Sequence, residues 1–142
     1  MIQCVMTDVI IEKDNKIVLI TRAGRTAHDK LALPGGHVEI GERVEDAAIR
    51  ESKEETNLKI KLIDIIGVYS DPKRDPRGHY VTTVFIAKID SGILKAKSDA
   101  SKVRFYDPNK LKKKDIAFDH LKIIKDYLKY KKHKRTYWST RR

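Results

Sequence analysis

Residues 35–58 read GGHVEIGERVEDAAIRESKEETNL, and the acidic half of this stretch decides how the rest of the chain is read. Glu42 to Thr56 predicts a helix. Each helical residue advances about 100°, so Glu51, Glu54 and Glu55 share roughly a third of the circumference within little more than one turn. Val44, Ala47, Ala48 and Ser52 form the opposite stripe, small enough to pack on a sheet. Glu51 and Glu55 at i,i+4 disfavour the helix by a few tenths of a kcal/mol, and Arg50, at i,i+4 to Glu54, offsets part of this. Such a face is either solvated acid or a seat for a hard divalent cation, which takes oxygen ligands at about 2.0–2.1 Å.

On the N-terminal side, residues 1–11 and 16–21 are rich in Val and Ile and are separated by Lys13-Asp14-Asn15, which predicts a hairpin. Pro34-Gly35-Gly36 breaks the chain ahead of the helix. On the C-terminal side, 58–69, 80–89 and 102–106 predict strands. A second helix is predicted over 118–132, with Leu121, Ile124 and Leu128 on one face and Asp115 or Asp119 as its cap. Strands mixed irregularly with two helices give an α/β or α+β domain rather than a doubly wound parallel sheet. Between the second pair of strands lies SDPKRDPRG. It is either an exposed charged turn or a proline-stiffened loop offering guanidinium groups to phosphate and carboxylates to ribose hydroxyls.

The 142 residues make one domain's worth of chain. A single cysteine, Cys4, excludes an intrachain disulfide, and no CxxC or Cys/His cluster is present for zinc. The longest stretch without a charged residue runs from Gly78 to Ala87, well short of the roughly 20 residues of a spanning helix. The N-terminus has no basic region and reaches Asp8 early, unlike a signal peptide. The expectation is a reduced, cytoplasmic protein with no membrane partner. The net charge of +11 lies entirely in residues 101–142, because residues 1–100 hold sixteen Lys/Arg and sixteen Asp/Glu. From Lys129 onward there is no acidic residue. That stretch is either a solvated helix end with a frayed tail or a contact for nucleic acid or substrate phosphate. Tyr130, Tyr137 and Trp138 are available to stack in the second case.

Counted from Gly36, the pattern is Gly, five residues, Glu42, seven residues, Arg50-Glu51, Ser52, Lys53, Glu54-Glu55, Thr56, Asn57, Leu58. This resembles the Nudix box, GX5EX7REUXEEXGU, where U is a bulky apolar residue. Ser52 stands where the box has an apolar residue, and Asn57 where it has Gly. Asn tolerates the left-handed conformation that ends a helix. The resemblance implies an α/β/α sandwich of the α/β class, with a central mixed sheet and a loop–helix–loop motif. The domain would span residues 1–130, leaving 131–142 as a basic tail. The implied activity is hydrolysis of a nucleoside diphosphate linked to another group, with Mg2+ as cofactor and Mn2+ able to substitute. Carried over by position, Glu51 and Glu55 would be direct metal ligands. Glu54 would be a ligand or orient a bound water, and the Gly35 carbonyl would complete the set. Glu42 and Arg50 would hold loop and helix together.

ALPGGHVEIGE (32–42), YSDPKRDPRGH (69–79) and AFDH (117–120) together resemble small ADP-ribose pyrophosphatases of the same family. That likeness implies cleavage of ADP-ribose to AMP and ribose 5-phosphate by a homodimer. It makes Arg22, Tyr69, Ser70, Asp71, Arg74, Arg77 and His79 the expected substrate-binding set. Asp99, the one carboxylate of KAKSDASKVRF, is the expected general base. Two readings stay beside this one. One is the same chemistry on an oxidised nucleotide, a dinucleoside polyphosphate, NADH or an RNA cap. The other is a sensor that binds ADP-ribose without cleaving it.

Overall fold

The computed structural model describes residues 3–142. Met1 and Ile2, the start of the strand expected over 1–11, lie outside the described residues. Strands β1 (Gln3–Lys13) and β2 (Lys16–Arg22) form the expected antiparallel hairpin. Asp14 and Asn15 both sit at positive φ (51° and 62°), as a two-residue turn matched to strand twist requires. After β3 (Leu31–Ala32) and β4 (Gly35–His37) come α1 (Val44–Thr56), β5 (Lys59–Tyr69), β6 (His79–Ser91) and β7 (Ala100–Tyr106). Helix α2 (His120–His133) and β8 (Tyr137–Trp138) complete the fold.

The sheet runs β3-β2-β1-β6-β5-β8, with β4 paired to β1 and β7 to β2. β1–β6 and β5–β8 are parallel and the other pairs antiparallel, so the sheet is mixed. Val9, Ile10 and Ile11 in β1 are all fully buried, because both faces of the sheet are covered. Val9, Ile11 and Val18 pack with Ala48 of α1, while Ile10, Ile17 and Leu19 pack with Ile123, Ile124 and Tyr127 of α2. The layers are therefore helix, sheet, helix. No helix of the described residues is long and apolar enough to cross a membrane.

Helix α1 starts two residues later than expected, because Glu42 accepts from the Glu39 N–H and from Arg50 instead of entering the first turn. It ends where expected, with Asn57 in the left-handed region at φ 65°. Ser52 packs fully buried, and its hydroxyl finds no partner among the described residues. In α2 the buried stripe is Ile123, Ile124, Tyr127 and Tyr130, with Leu121 and Leu128 at its margins. Asp119 occupies the cap position without capping, since its carboxylate serves Arg74.

The basic C-terminal stretch does not fray. Tyr137 pairs with Gly67 and Trp138 with Val68, and Tyr137 is buried in the core under α2. A Cβ at position 67 would collide with the Tyr137 carbonyl, so this strand pairing requires glycine there. The Ser139 hydroxyl accepts from the Ser70 and Asp71 N–H groups (3.0 and 3.1 Å), and Lys122 Nζ donates to the Arg141 carbonyl (2.9 Å). Tyr130 is also buried, its hydroxyl donating to Asp64. Of the three aromatic residues expected to stack on bases, Trp138 alone is exposed.

Candidate active site

Arg50 organises the acidic helix. Its Nε and Nη2 donate to Glu42 (2.9 and 3.0 Å), and Nη2 also reaches the His37 carbonyl (2.9 Å). Its Nη1 donates to Glu51 (3.0 Å) and Glu54 (3.2 Å). One guanidinium thus fastens β4 and the following loop to α1. It pulls the Glu42 carboxyl down to about 2, helped by the Glu39 N–H. Gly36 lies flat against the Glu51 carboxylate, where a Cβ would come within 2.5 Å of its Cδ.

Glu55 lies on the buried side of α1 and accepts one N–H, from Gly35 at 2.8 Å. Burial pushes its carboxyl up to about 8, and the carboxylates of Glu51, Asp8 and Asp99 add to the effect. Burial also raises Glu51, although Arg50 opposes it. The raised carboxyls of Glu51 and Glu55 mark two acids whose ionised forms a bound cation would favour, beyond the pairing that Arg50 already gives Glu51. The donor set is all oxygen, which suits a hard divalent ion. Glu51 and Glu54 lean on Arg50, and no three acidic, imidazole or thiol groups among the described residues close on one point. The donors fit such an ion in kind, provided that Glu51 and Glu54 turn off Arg50.

Glu51 and Glu55 open into a cleft of about 330 Å³ whose walls include Arg22, Gly35, Gly36, Arg77 and Asp99. A small adjoining hollow of about 40 Å³, sharing Arg22, Gly35, Glu55 and Arg77 with the cleft, is lined also by Asp8, Tyr80, Phe118 and His120. Arg77 reaches it from the loop before β6, paired through Nε and Nη2 with Asp75 (3.0 and 2.8 Å) and stacked over Tyr80. Arg22 comes from the end of β2. Its Nε donates to the Thr26 carbonyl (2.9 Å), and it has no ion-pair partner among the described residues. Burial, then the nearby Arg77, lowers its pKa. A larger hollow of about 480 Å³ lies around the β1–β2 turn and Tyr127, away from the paired acids.

The expected binding set divides. Arg22 and Arg77 reach the cleft together with Glu51, Glu55, Gly35 and Asp99. Tyr69 does not, because the end of β5 turns it into the core, where its hydroxyl donates to Asp126 at 2.8 Å. Arg74 is buried as a strut between Asp119 and the Tyr80 carbonyl. Ser70 and Asp71 give their backbone N–H groups to Ser139. His79 meets the Ser70 carbonyl at 2.9 Å. Glu54 is exposed beside Arg50 and outside the cleft wall. His120 is buried, with Nδ1 accepting from the Leu33 N–H (3.0 Å). Met6 lines the cleft, and Asp8 and Phe118 the hollow beside it, without a sequence signal of their own, although Phe118 lies within the AFDH match.

The NUDIX domain family matches residues 5–127. An ADP-ribose pyrophosphatase of Methanocaldococcus jannaschii is 54% identical over 127 residues, covering 89% of this chain and 74% of that protein. A crystal structure of a NUDIX hydrolase from Nitrosomonas europaea superposes with a TM-score of 0.82 at 26% identity, covering 96% of this chain and 77% of the other. A bifunctional NMN adenylyltransferase/ADP ribose pyrophosphatase from Francisella tularensis, complexed with AMP and a Mn ion, gives a TM-score of 0.76 at 25% identity. That match covers 90% of this chain and 42% of the other. With the helix–sheet–helix layers, the acids of α1 and this family match in agreement, the chain belongs to the NUDIX domain family.

Proposed function

We propose that the protein hydrolyses the pyrophosphate bond of ADP-ribose, giving AMP and ribose 5-phosphate, with Mg2+ as its cofactor and Mn2+ able to replace it. One observation carries this reading: Glu51 and Glu55 share a cleft with two guanidinium groups, Arg22 and Arg77. A diphosphate needs positive charge on its oxygens and a water delivered to phosphorus. Acids alone would repel it, and guanidiniums alone would bind without cleaving. The 54% identity to an ADP-ribose pyrophosphatase supports the choice of substrate.

Glu51, Glu54, Glu55 and the Gly35 carbonyl would hold the ion, which polarises a phosphoryl oxygen and acidifies water when bound. Arg22 and Arg77 orient the diphosphate. Asp99, on the cleft wall, accepts the proton of the attacking water. Water adds to phosphorus as the bridging oxygen leaves with the second phosphate, so the two products account for every atom. Homodimer assembly belongs to the same proposal, supported by the exposed Ile63, Ile65 and Val68 of β5. A weak nucleic-acid contact through the basic C-terminal stretch rests on its charge. The cytoplasm is the proposed compartment, in keeping with the free Cys4.

The test is a substrate panel with Mg2+, with AMP, phosphate and pyrophosphate resolved as products. AMP without pyrophosphate from ADP-ribose is the expected result. Cleavage confined to nucleoside triphosphates, an RNA cap or dinucleoside polyphosphates would replace this substrate with another. Binding of ADP-ribose without turnover would make the protein a sensor.

A further inference from the structure

Three observations meet at Phe118, which the proposed chemistry leaves without a role. Both arginines of the cleft lie over its ring, with Cζ at 5.0 Å from the centroid for Arg22 and 5.2 Å for Arg77. Its backbone sits at φ 53°, a conformation that bulky L residues rarely adopt. Its neighbours hold it there. Ala117 N–H donates to the Leu31 carbonyl (2.8 Å), Asp119 is gripped by Arg74, and His120 accepts from the Leu33 N–H. Strain maintained by its surroundings is a recurrent sign of a position that matters to function.

The third observation concerns the guanidiniums. Two like charges share one ring, and among the described residues Arg22 forms no ion pair, with Asp75, Glu55 and Asp99 acting on it only from farther away. The negative face of an aromatic ring attracts a guanidinium while offering it no oxygen acceptor. Among the described residues, Arg22 Nη1 and Nη2 and Arg77 Nη1 have no protein acceptor.

We infer that Phe118 is a positioning residue for diphosphate binding: its ring holds Arg22 and Arg77 side by side at the cleft so that their unused N–H groups meet the phosphate oxygens together. This rests on the reading that the cleft takes a nucleoside diphosphate. The Phe118 side chain has no donor or acceptor for a diphosphate of its own; it acts through the two arginines.

The test compares Phe118→Leu, Phe118→Tyr and Phe118→Gly with the wild type. Leu keeps an apolar side chain and removes the π face. Tyr keeps the face. Gly removes the ring and adopts positive φ without strain, so it remains informative if the Leu variant does not fold. Binding of α,β-methylene ADP-ribose, which is not cleaved, is measured by calorimetry in Mg2+, and KM and kcat are measured with ADP-ribose. The expected result is binding at least tenfold weaker in Leu and Gly, with KM raised to match, kcat within about threefold, and Tyr close to wild type. Binding within twofold of wild type in Leu and Gly, or a Tyr variant as impaired as Leu, overturns the inference. A wild-type protein that does not bind the analogue overturns the diphosphate reading itself, and this inference with it.

Discussion

Arg74 and Asp119 close a bidentate ion pair, Nε to Oδ2 at 2.9 Å and Nη2 to Oδ1 at 2.7 Å, that ties the loop before β6 to the start of α2. The Arg74 side chain is 4% exposed, and its Nη1 also serves the Tyr80 carbonyl. Removing one partner strands the other, at a cost of about 3–5 kcal/mol for a buried pair. Arg74→Ala is therefore expected to destabilise the fold by about 3 kcal/mol in urea unfolding. The Arg74→Ala, Asp119→Ala double variant should lose less than the two single losses together.

Arg22 behaves in the opposite way. It gives one hydrogen bond to a carbonyl and has no carboxylate partner among the described residues. Arg22→Gln should change unfolding free energy by no more than about 0.5 kcal/mol. A hydrogen bond to a charged group contributes about 1.5–3 kcal/mol, so KM for ADP-ribose should rise at least tenfold. Steady-state kinetics beside urea melts separates the two effects.

Glu55 links stability to pH and to cation. Its folded carboxyl titrates near 8 against an ordinary value of 4.5, chiefly through burial. Between these values the folded state keeps a proton that the unfolded state releases, so stability falls as pH rises through that window. Glu55→Gln should flatten the decline. Mg2+ or Mn2+ should raise the wild-type melting temperature, most strongly at the alkaline end, by binding the folded state. Glu55→Gln should lose most of that gain. Thermal melts from pH 5 to 9, with and without EDTA, provide the check.

His120 gives a slope of the other sign. Burial holds its pKa below 6.5, and Nδ1 must stay unprotonated to accept from Leu33. Below pH 6.5 the unfolded state takes up a proton that the folded state resists, so stability falls as pH falls. His120→Asn, which retains an acceptor, should show a shallower loss between pH 6.5 and 5 in parallel denaturant titrations.

The acidic helix was legible because its information is local. The spacing of Glu42, Arg50, Glu51, Glu54 and Glu55 fixes which side chains share a face, and Asn57 ends the helix where such a residue can take a left-handed turn. The loop before β6 was less legible. Arg74 and Arg77 look alike in sequence, yet Arg74 meets Asp119, 45 positions away, while Arg77 meets Asp75, two positions away. Pairing over that distance leaves no periodic trace. Tyr69 was misleading for a related reason: the strand carries it past the loop into the core, where Asp126 of α2 takes its hydroxyl. The charge of the C-terminal stretch was plain, whereas its docking depends on a bare Gly67 on a distant strand.

The chain order of these restraints has a consequence for biosynthesis. The acids of α1 leave the ribosome long before Phe118, Asp119 and Ser139, the residues that steady the two cleft arginines and the neighbouring loop. During translation the acidic half of the cleft can take shape first, while the arginine half waits for its last tethers. The nascent chain brings its two cleft arginines to their final contacts late.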